Sequence, residues 1–302
     1  MIKYILITIA SFIIILASII IFLSTVGIKT NKFNKFIDDK VKKFNPNLSL
    51  KIDDVYLKLD ITKRILKINT SEPKVSIAGH FLYLSNIEVN LDLIKFLNKT
   101  NSILEIKVIT KQNSIKNLTN FLNSYNFNLP RFIIYSQITE GKIKATATII
   151  PDKNDQKKYG YEIEGKIMDA SLNILNKTKV QNINFNFKIE NQNLELKKID
   201  FKFNKIKFLS DSIKIKKIEN EFKVEGNFKT KEGLISKKDI KKFTNLNLNF
   251  LENKFISGST INKFSFSINE NKKIKNINLE EKINFDKINF DKKYQDLIFL
   301  KN

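Results

Sequence analysis

The side chains that most often do chemistry are nearly missing from this chain of 302 residues. It has no cysteine and a single histidine, His80. Without a thiol there is no disulfide, no thiolate metal site and no Cys nucleophile. One imidazole, set in Gly79-His80-Phe81, cannot build a multi-His metal centre, and it reads as a strand or turn residue rather than a base. Carboxylates do pair in sequence, as Asp53-Asp54 and Glu280-Glu281. Neighbours in a strand point to opposite faces, so these pairs do not converge on one substrate atom. There is no glycine-rich phosphate loop. The expectation is a protein with no catalytic residue, no metal site, no cofactor and no enzymatic turnover.

The chemistry that remains is apolar. Phenylalanine occurs 25 times and tryptophan never. Apolar residues alternate with polar ones over long stretches: Leu48, Leu50 and Ile52; Val55, Leu57, Leu59 and Ile61; Ile87 to Leu93; Leu104 to Val108; Ile143 to Ile149. The pattern continues through Ile199 and Phe208, through Phe228, through Leu246, Leu248 and Phe250, and to Ile283 and Phe285. Period two marks antiparallel strands with one apolar and one solvated face. The candidate apolar binding face is Ile183, Phe185, Phe187, Ile189, Phe201, Phe203, Phe222, Val224, Phe264 and Phe266. Two sheets whose apolar faces bury one another would satisfy the same pattern. So would one long curved sheet whose inner face is left for lipid chains. The use of Phe and the succession of hairpins with short connections lean toward the second.

Several elements must position this face. Residues 1–3 are a short tail. Tyr4 to Ile28 form 25 positions without a charge. As a helix they reach roughly 37 Å at about 1.5 Å per residue, enough to cross a bilayer with some tilt. A cleaved signal has a shorter apolar core and a clearer small-residue cleavage site than Leu23-Ser24-Thr25-Val26-Gly27. A core helix rarely needs so long an uncharged run at a terminus. Residues 30–45 read as an amphipathic helix capped by Thr30, with Phe33, Phe36, Ile37, Val41 and Phe44 on one face. It would lie on the membrane surface or plug the end of the next domain. Residues 48–302 form the antiparallel sheet domain, with a possible seam near 126–160. Short helices are expected at Asp92 to Asn98, Asn113 to Tyr125 and Ser236 to Phe243. Turns are expected at residues 190–193 and 219–221, and bulges at Lys197-Lys198 and Asn204-Lys205. With only 8 Gly, Asn would have to supply the positive-φ positions.

The net charge is +22, yet 51 of the 53 basic residues are lysine, Arg64 and Arg131 being the exceptions. Lysine is spread along the strands, not gathered in a patch. Phosphate forks and base readout favour arginine, so no nucleic-acid partner is expected. A solvated lysine face, enriched by A/T-rich coding, accounts for most of the charge. Attraction to anionic headgroups accounts for much of the rest.

The anchor ending in Ser24-Thr25-Val26-Gly27-Ile28 leads into NKFNKFIDDKVKKF, a first strand pair LSLKIDDVYLKLD, then IEVNLDLIKFL, ITEGKIKATATII and YEIEGKIMDASLNIL. Over roughly residues 1–230 this order resembles AsmA-like proteins, the group with YhdP- and TamB-type members. The resemblance implies a mainly β fold: a transmembrane helix followed by a long curved antiparallel groove with a few short helices. It also implies a single-pass protein of the inner membrane whose bulk lies in the periplasm. There it would bind and conduct phospholipid, supporting outer-membrane lipid homeostasis or assembly. Partners would be membrane phospholipids and envelope proteins that extend the sheet at its C-terminal edge. The alternative is an anchored sandwich or jelly-roll adaptor of the LptC kind. Lysine counts beside the anchor favour a cytoplasmic bulk domain taken alone. The resemblance favours the periplasm, and it is followed here because lysine is abundant throughout.

Overall fold

A computed structural model describes residues 2–98, 100–124, 138–152, 159–174, 178–191, 193–203, 206–237, 252, 255–269 and 273–287. The chain opens with α1 (Ile2–Thr25). Within it, Ile7–Thr25 has a mean hydropathy of 2.8 and none of its length is buried in the protein. By length and composition this helix can cross a membrane. Four of its five Ser and Thr hydroxyls suit that environment. Thr8, Ser11, Ser18 and Thr25 each donate to the carbonyl four residues back, at 2.8–2.9 Å, so none of the four needs water.

The chain is mainly β: one long antiparallel sheet with few helices. After α1 come β1 (Ile28–Thr30), α2 (Asn34–Phe44), β2 (Leu48–Lys51), β3 (Val55–Asp60), β4 (Ile65–Ser71), β5 (Lys74–Ile77), β6 (His80–Asp92), α3 (Leu93–Leu97), β7 (Ile103–Thr110), β8 (Asn113–Ser114) and α4 (Ile115–Ser124). Eight long strands follow: β9 (Ile138–Pro151), β10 (Tyr159–Ile174), β11 (Thr178–Glu190), β12 (Asn193–Phe203), β13 (Ile206–Ile218), β14 (Glu221–Ser236), β15 (Phe255–Asn269) and β16 (Ile274–Lys287). The strand order is β1-β3-β4-β6-β7 and then β9 to β16 in sequence, with β2, β5 and β8 off this path. Two compact units result, Met1–Tyr135 with Lys142–Gly165, and Ser136–Gly141 with Lys166–Asn302.

In the first unit α1 runs almost directly into the sheet. Gly27 ends the helix at φ +79, and a Cβ there would sit 2.7 Å from the Leu57 carbonyl and the Tyr56 ring. Only glycine fits both the dihedral and the space. Tyr56 donates its hydroxyl proton to the Val26 carbonyl, satisfying an acceptor the helix end leaves open. The next three residues pair with β3, Ile28 opposite Leu57 and Thr30 opposite Val55. Lys29 meets Asp54 at 2.9 Å.

The first strand pair is not the one expected. Leu48–Lys51 pairs with β5, while β3 pairs with β1 and β4. The Asp53-Asp54 step therefore carries the chain between partners and does not close a hairpin. Ile61 lies in the β3–β4 turn and is exposed, so the alternation ends at Leu59. Thr30 is a strand residue, and α2 starts at Asn34 with no side-chain cap. The Asn34 amide instead donates to the Ile52 and Asp53 carbonyls, and Asp38 accepts from the Leu50 amide, docking α2 on β2. Asp92 caps α3 and Ser114 caps α4, each accepting from a backbone amide three residues on. Buried Ile115 and Phe121 set the inner face of α4, which packs on β5 and β6. Beside it, buried Asn113 acts as a short strand, exchanging bonds with the backbone of Tyr83 and donating to Lys111. Val55, Leu59, Ile77, Leu84 and Leu91 complete this core.

In the second unit the strands are longer and pair in simple succession. Ser236 closes β14, and Lys237 directly after it is helical, at the start of the helix expected there. Residues 238–243, Leu246, Leu248, Phe250 and Asn204-Lys205 lie outside the described residues. Among the described residues positive φ occurs at nine non-glycine positions, of which only Asn182, Asn191 and Asn276 are asparagine. Arg64, Glu72, Ala78, Asp169, Lys198 and Glu219 supply the rest, because hairpins and bulges over-determine the backbone there.

Candidate functional site

The second unit gathers the apolar side chains onto one face, and its register shows how. Phe187, Leu196, Ile213, Gly226 and Phe264 stand opposite one another across β11 to β15. Ile189, Leu194, Ile215, Val224 and Phe266 form the next row. Phe222 faces Ile268 one step further out. Phe201 and Phe208 face each other on the far side of the Phe187 row.

Reaching Phe201 from Leu196 requires an odd step, which alternation alone would not allow. Lys198 supplies it at φ 52, and Asn182 at φ 53 and Asp169 at φ 51 do so on β11 and β10. These bulged positions are stitched together by Asn184. Its amide nitrogen donates to the Asn182 carbonyl and the Asp200 carboxylate, both at 2.9 Å, and its oxygen accepts from the Asp169 amide at 3.0 Å. The bulges keep the apolar face in phase across strands whose sequences slip by one residue.

A run of rings crosses the face. Phe203 meets Phe208 with centroids 6.4 Å apart, Phe208 stacks on Phe201 at 5.1 Å, and Phe201 meets Phe228 edge-on at 5.6 Å. Phe228 then stacks on Phe264 at 5.3 Å, and Phe264 on Phe266 at 6.0 Å. Phe185 and Phe187 form a separate edge-on pair at 6.5 Å. Aromatic pairs of this geometry contribute about 0.5–1.5 kcal/mol beyond their buried area. Gly226 makes room for the run: a Cβ there would lie 2.9 Å from both Ile213 Cγ1 and Phe264 Cζ. Phe264 covers the bare backbone, the usual way a strand glycine is shielded.

All ten expected residues, from Ile183 to Phe266, fall on this face. Val224 is buried and the other nine are half-buried. Among the described residues of this unit, each strand packs on its sheet neighbours and no helix or second sheet layer covers the face. Leu194, Leu196, Ile213 and Ile215 belong to it and escaped the sequence reading. Their alternation was legible, but Lys197-Lys198 and Asp211-Ser212 cut it into pairs too short to stand out.

The opposite face is charged and paired. Lys197 meets Glu195 at 2.9 Å, Lys275 meets Glu221 at 3.3 Å, Lys207 meets Asp200 at 3.4 Å, and Lys229 meets Asp211. The Lys197 ammonium holds the Glu195 carboxyl below its ordinary range. Exposed pairs of this kind contribute little to stability and mark a solvated surface.

Of the other candidates, Phe33 precedes α2 and is exposed, while Ile37 and Val41 are half-buried. The side chains of Phe36 and Phe44 are outside the described set. His80 is exposed and opens β6 after a two-residue turn at Ala78-Gly79. Asp54 is paired with Lys29 and Glu280 with Lys263. Among the described residues no three metal-ligating side chains converge. Two open surface recesses are lined mostly by polar residues, one beside Lys214, Glu225 and Lys263 with Gly226 and Phe264 at its wall, the other beside Lys29, Asp54 and Asn69, and neither brings a nucleophile to a base. Comparison with protein-family models, with curated proteins and with solved structures returned no match.

Proposed function

We propose that this is a membrane-anchored protein that binds phospholipid acyl chains along the apolar face of its sheet and passes them along it without chemical turnover. The observation that carries this reading is the ring run from Phe203 to Phe266, set in rows of Ile, Leu and Val with no second layer over them among the described residues. Burial of an acyl chain there would contribute about 0.8 kcal/mol per CH₂. Headgroups would remain in water. α1 would be the anchor. An AsmA-like protein of the inner membrane, with its sheet in the periplasm and a role in supplying the outer membrane, is the setting that fits the element order.

A photo-crosslinking phenylalanine analogue at position 201 or 264 of the full chain, activated in its native membrane, tests this. A phospholipid adduct seen by mass spectrometry is expected at both positions. Adducts to protein alone, or none, would overturn the reading.

A second reading has its own observation. β16 stands last in the strand order among the described strands, and its Ile274, Ile277 and Leu279 are all exposed. A long edge with unpaired backbone groups is a template for another chain's strand. In that case the protein is an anchored adaptor in an envelope assembly. The same analogue at position 277 would then yield protein adducts in place of lipid.

A further inference from the structure

Apart from α1 and the segment just after it, most of the exposed large apolar side chains of the first unit collect at one end of its strands. Ile61 sits in the β3–β4 turn. Ile94, Phe96 and Leu97 project from α3, which is tied to that turn by the Leu93 amide donating to the Arg64 carbonyl at 2.9 Å. Ile150 and Tyr159 end β9 and begin β10 at the same end. The register sets this: Ile106, three residues into β7, faces Ile149, so the end of β9 lies beside the start of β7, and β10 is the next strand over. Leu97 is 69% exposed, and the other five are 46–51% exposed. An apolar rim of this size on a soluble end would be costly to leave in water.

This is also the end at which the chain enters the sheet from α1. β1 runs antiparallel to β3 with Ile28 opposite Leu57 and Thr30 opposite Val55, so the chain arrives from the Asp60 side. Gly27 and the Tyr56–Val26 bond leave little slack between helix and strand. Whatever bilayer α1 crosses is therefore held beside this rim. Lys63, Arg64 and Lys95 are exposed among the apolar groups, a mixture of cations, rings and aliphatic chains that matches a lipid headgroup layer. α2, by contrast, follows Thr30 at the opposite end and is docked on β2.

We infer that the Ile61–α3–Ile150 rim is a second membrane contact, seated in the interfacial layer of the bilayer that α1 spans. It holds the first strands upright on that surface. The inference rests on α1 being a membrane anchor, and not on lipid conduction.

The chain has no tryptophan, so single-tryptophan variants give unambiguous reporters. The full chain carrying Phe96→Trp, Leu97→Trp, Phe12→Trp or Phe81→Trp is reconstituted into vesicles of phosphatidylcholine and phosphatidylglycerol, with acyl chains brominated near the headgroup or near the chain end. Phe81 is 50% exposed and lies on β6, eleven residues from Asp92 and so roughly 35 Å from the rim. Phe96→Trp and Leu97→Trp should lose most of their emission to bromine near the headgroup and shift to the blue. Phe12→Trp should be quenched best by bromine near the chain end, and Phe81→Trp by neither. If both rim reporters match Phe81→Trp while Phe12→Trp is quenched, the rim contact is wrong and the anchor stands. If Phe12→Trp is also unquenched, the anchor itself fails and the rim contact with it.

Discussion

Gly226 is the one position in the Phe187 row without a side chain, and the contacts around it explain why. The residue is in a strand, where glycine costs about 0.5–1 kcal/mol relative to alanine. Replacing it should therefore stabilise, unless the new atoms have nowhere to go. Ile213 Cγ1 and Phe264 Cζ each stand 2.9 Å from the missing Cβ, and the Ser212 carbonyl 3.1 Å. Overpacking a filled site costs typically about 1–3 kcal/mol, which exceeds the gain in strand propensity. Gly226→Val should lower the denaturation midpoint of the chain by the difference, and Gly226→Val with Phe264→Leu should recover part of it. An unchanged midpoint for the single variant would mean that Phe264 does not lie over Gly226. In the sequence this glycine is one of eight and gives no sign of its role; what fixes it is a cross-strand neighbour 38 residues away.

At the scale of elements, α2 shows how a helix is held by groups outside its own pattern. Its basic face and apolar stripe were legible, since Phe33, Ile37 and Val41 recur at helical spacing. Its start was not, because the bonds that replace a cap come from Ile52, Asp53 and Leu50, far along the chain. The Asp38 carboxyl lies below its ordinary value of 3.8, chiefly through its hydrogen bond with Lys42 and against the opposing effect of burial. A carboxylate depressed in the folded state adds stability above its unfolded pKa and loses it as pH falls through the folded value. Hydrogen exchange across residues 34–44 should therefore be flat between about pH 7 and 5, once corrected for the intrinsic rate, and should rise only below about pH 4. Asp38→Ala should raise it between about pH 7 and 5, by the roughly 0.5–1.5 kcal/mol of a hydrogen bond lost to the Leu50 amide, and the gap should narrow below about pH 4. Protection unchanged by Asp38→Ala would show that Asn34 and apolar contacts alone dock the helix. The bulges are the other feature that depends on context. Lys197-Lys198 was readable as a break in phase, whereas Asp169 and Asn182 were not. Their positive φ values are set by Asn184 reaching across β10, β11 and β12, which no local pattern records.

Over the molecule as a whole, one rule recurs from strand to strand: apolar residues alternate with polar ones. The rule was legible because period two survives in nearly every strand, and it is why the sheet was expected before its register was known. What alternation could not give was whether the apolar face would be covered, since a sandwich and an open sheet share the pattern. The two units answer differently. The first carries α2 and α4 as packing partners, and the second, among its described residues, carries none. Its face should therefore accept conservative change and reject charge for functional rather than structural reasons. Phe187 suits the test, being half-buried, with Phe185 as its ring partner and outside the run from Phe203 to Phe266. Phe187→Leu keeps the row apolar and should leave phospholipid crosslinking at position 201 intact. Phe187→Glu places a carboxylate in the row, and an ionised carboxylate among acyl chains costs several kcal/mol, more than a tenfold loss of occupancy. Because water can still reach that side chain when lipid is absent, the β-sheet circular dichroism should stay unchanged. Crosslinking at position 201 should then fall at neutral pH and recover as the carboxyl is protonated. Loss of crosslinking together with loss of circular dichroism would show that the face is a structural core. Retention of both in Phe187→Glu would show that lipid, if bound, lies elsewhere.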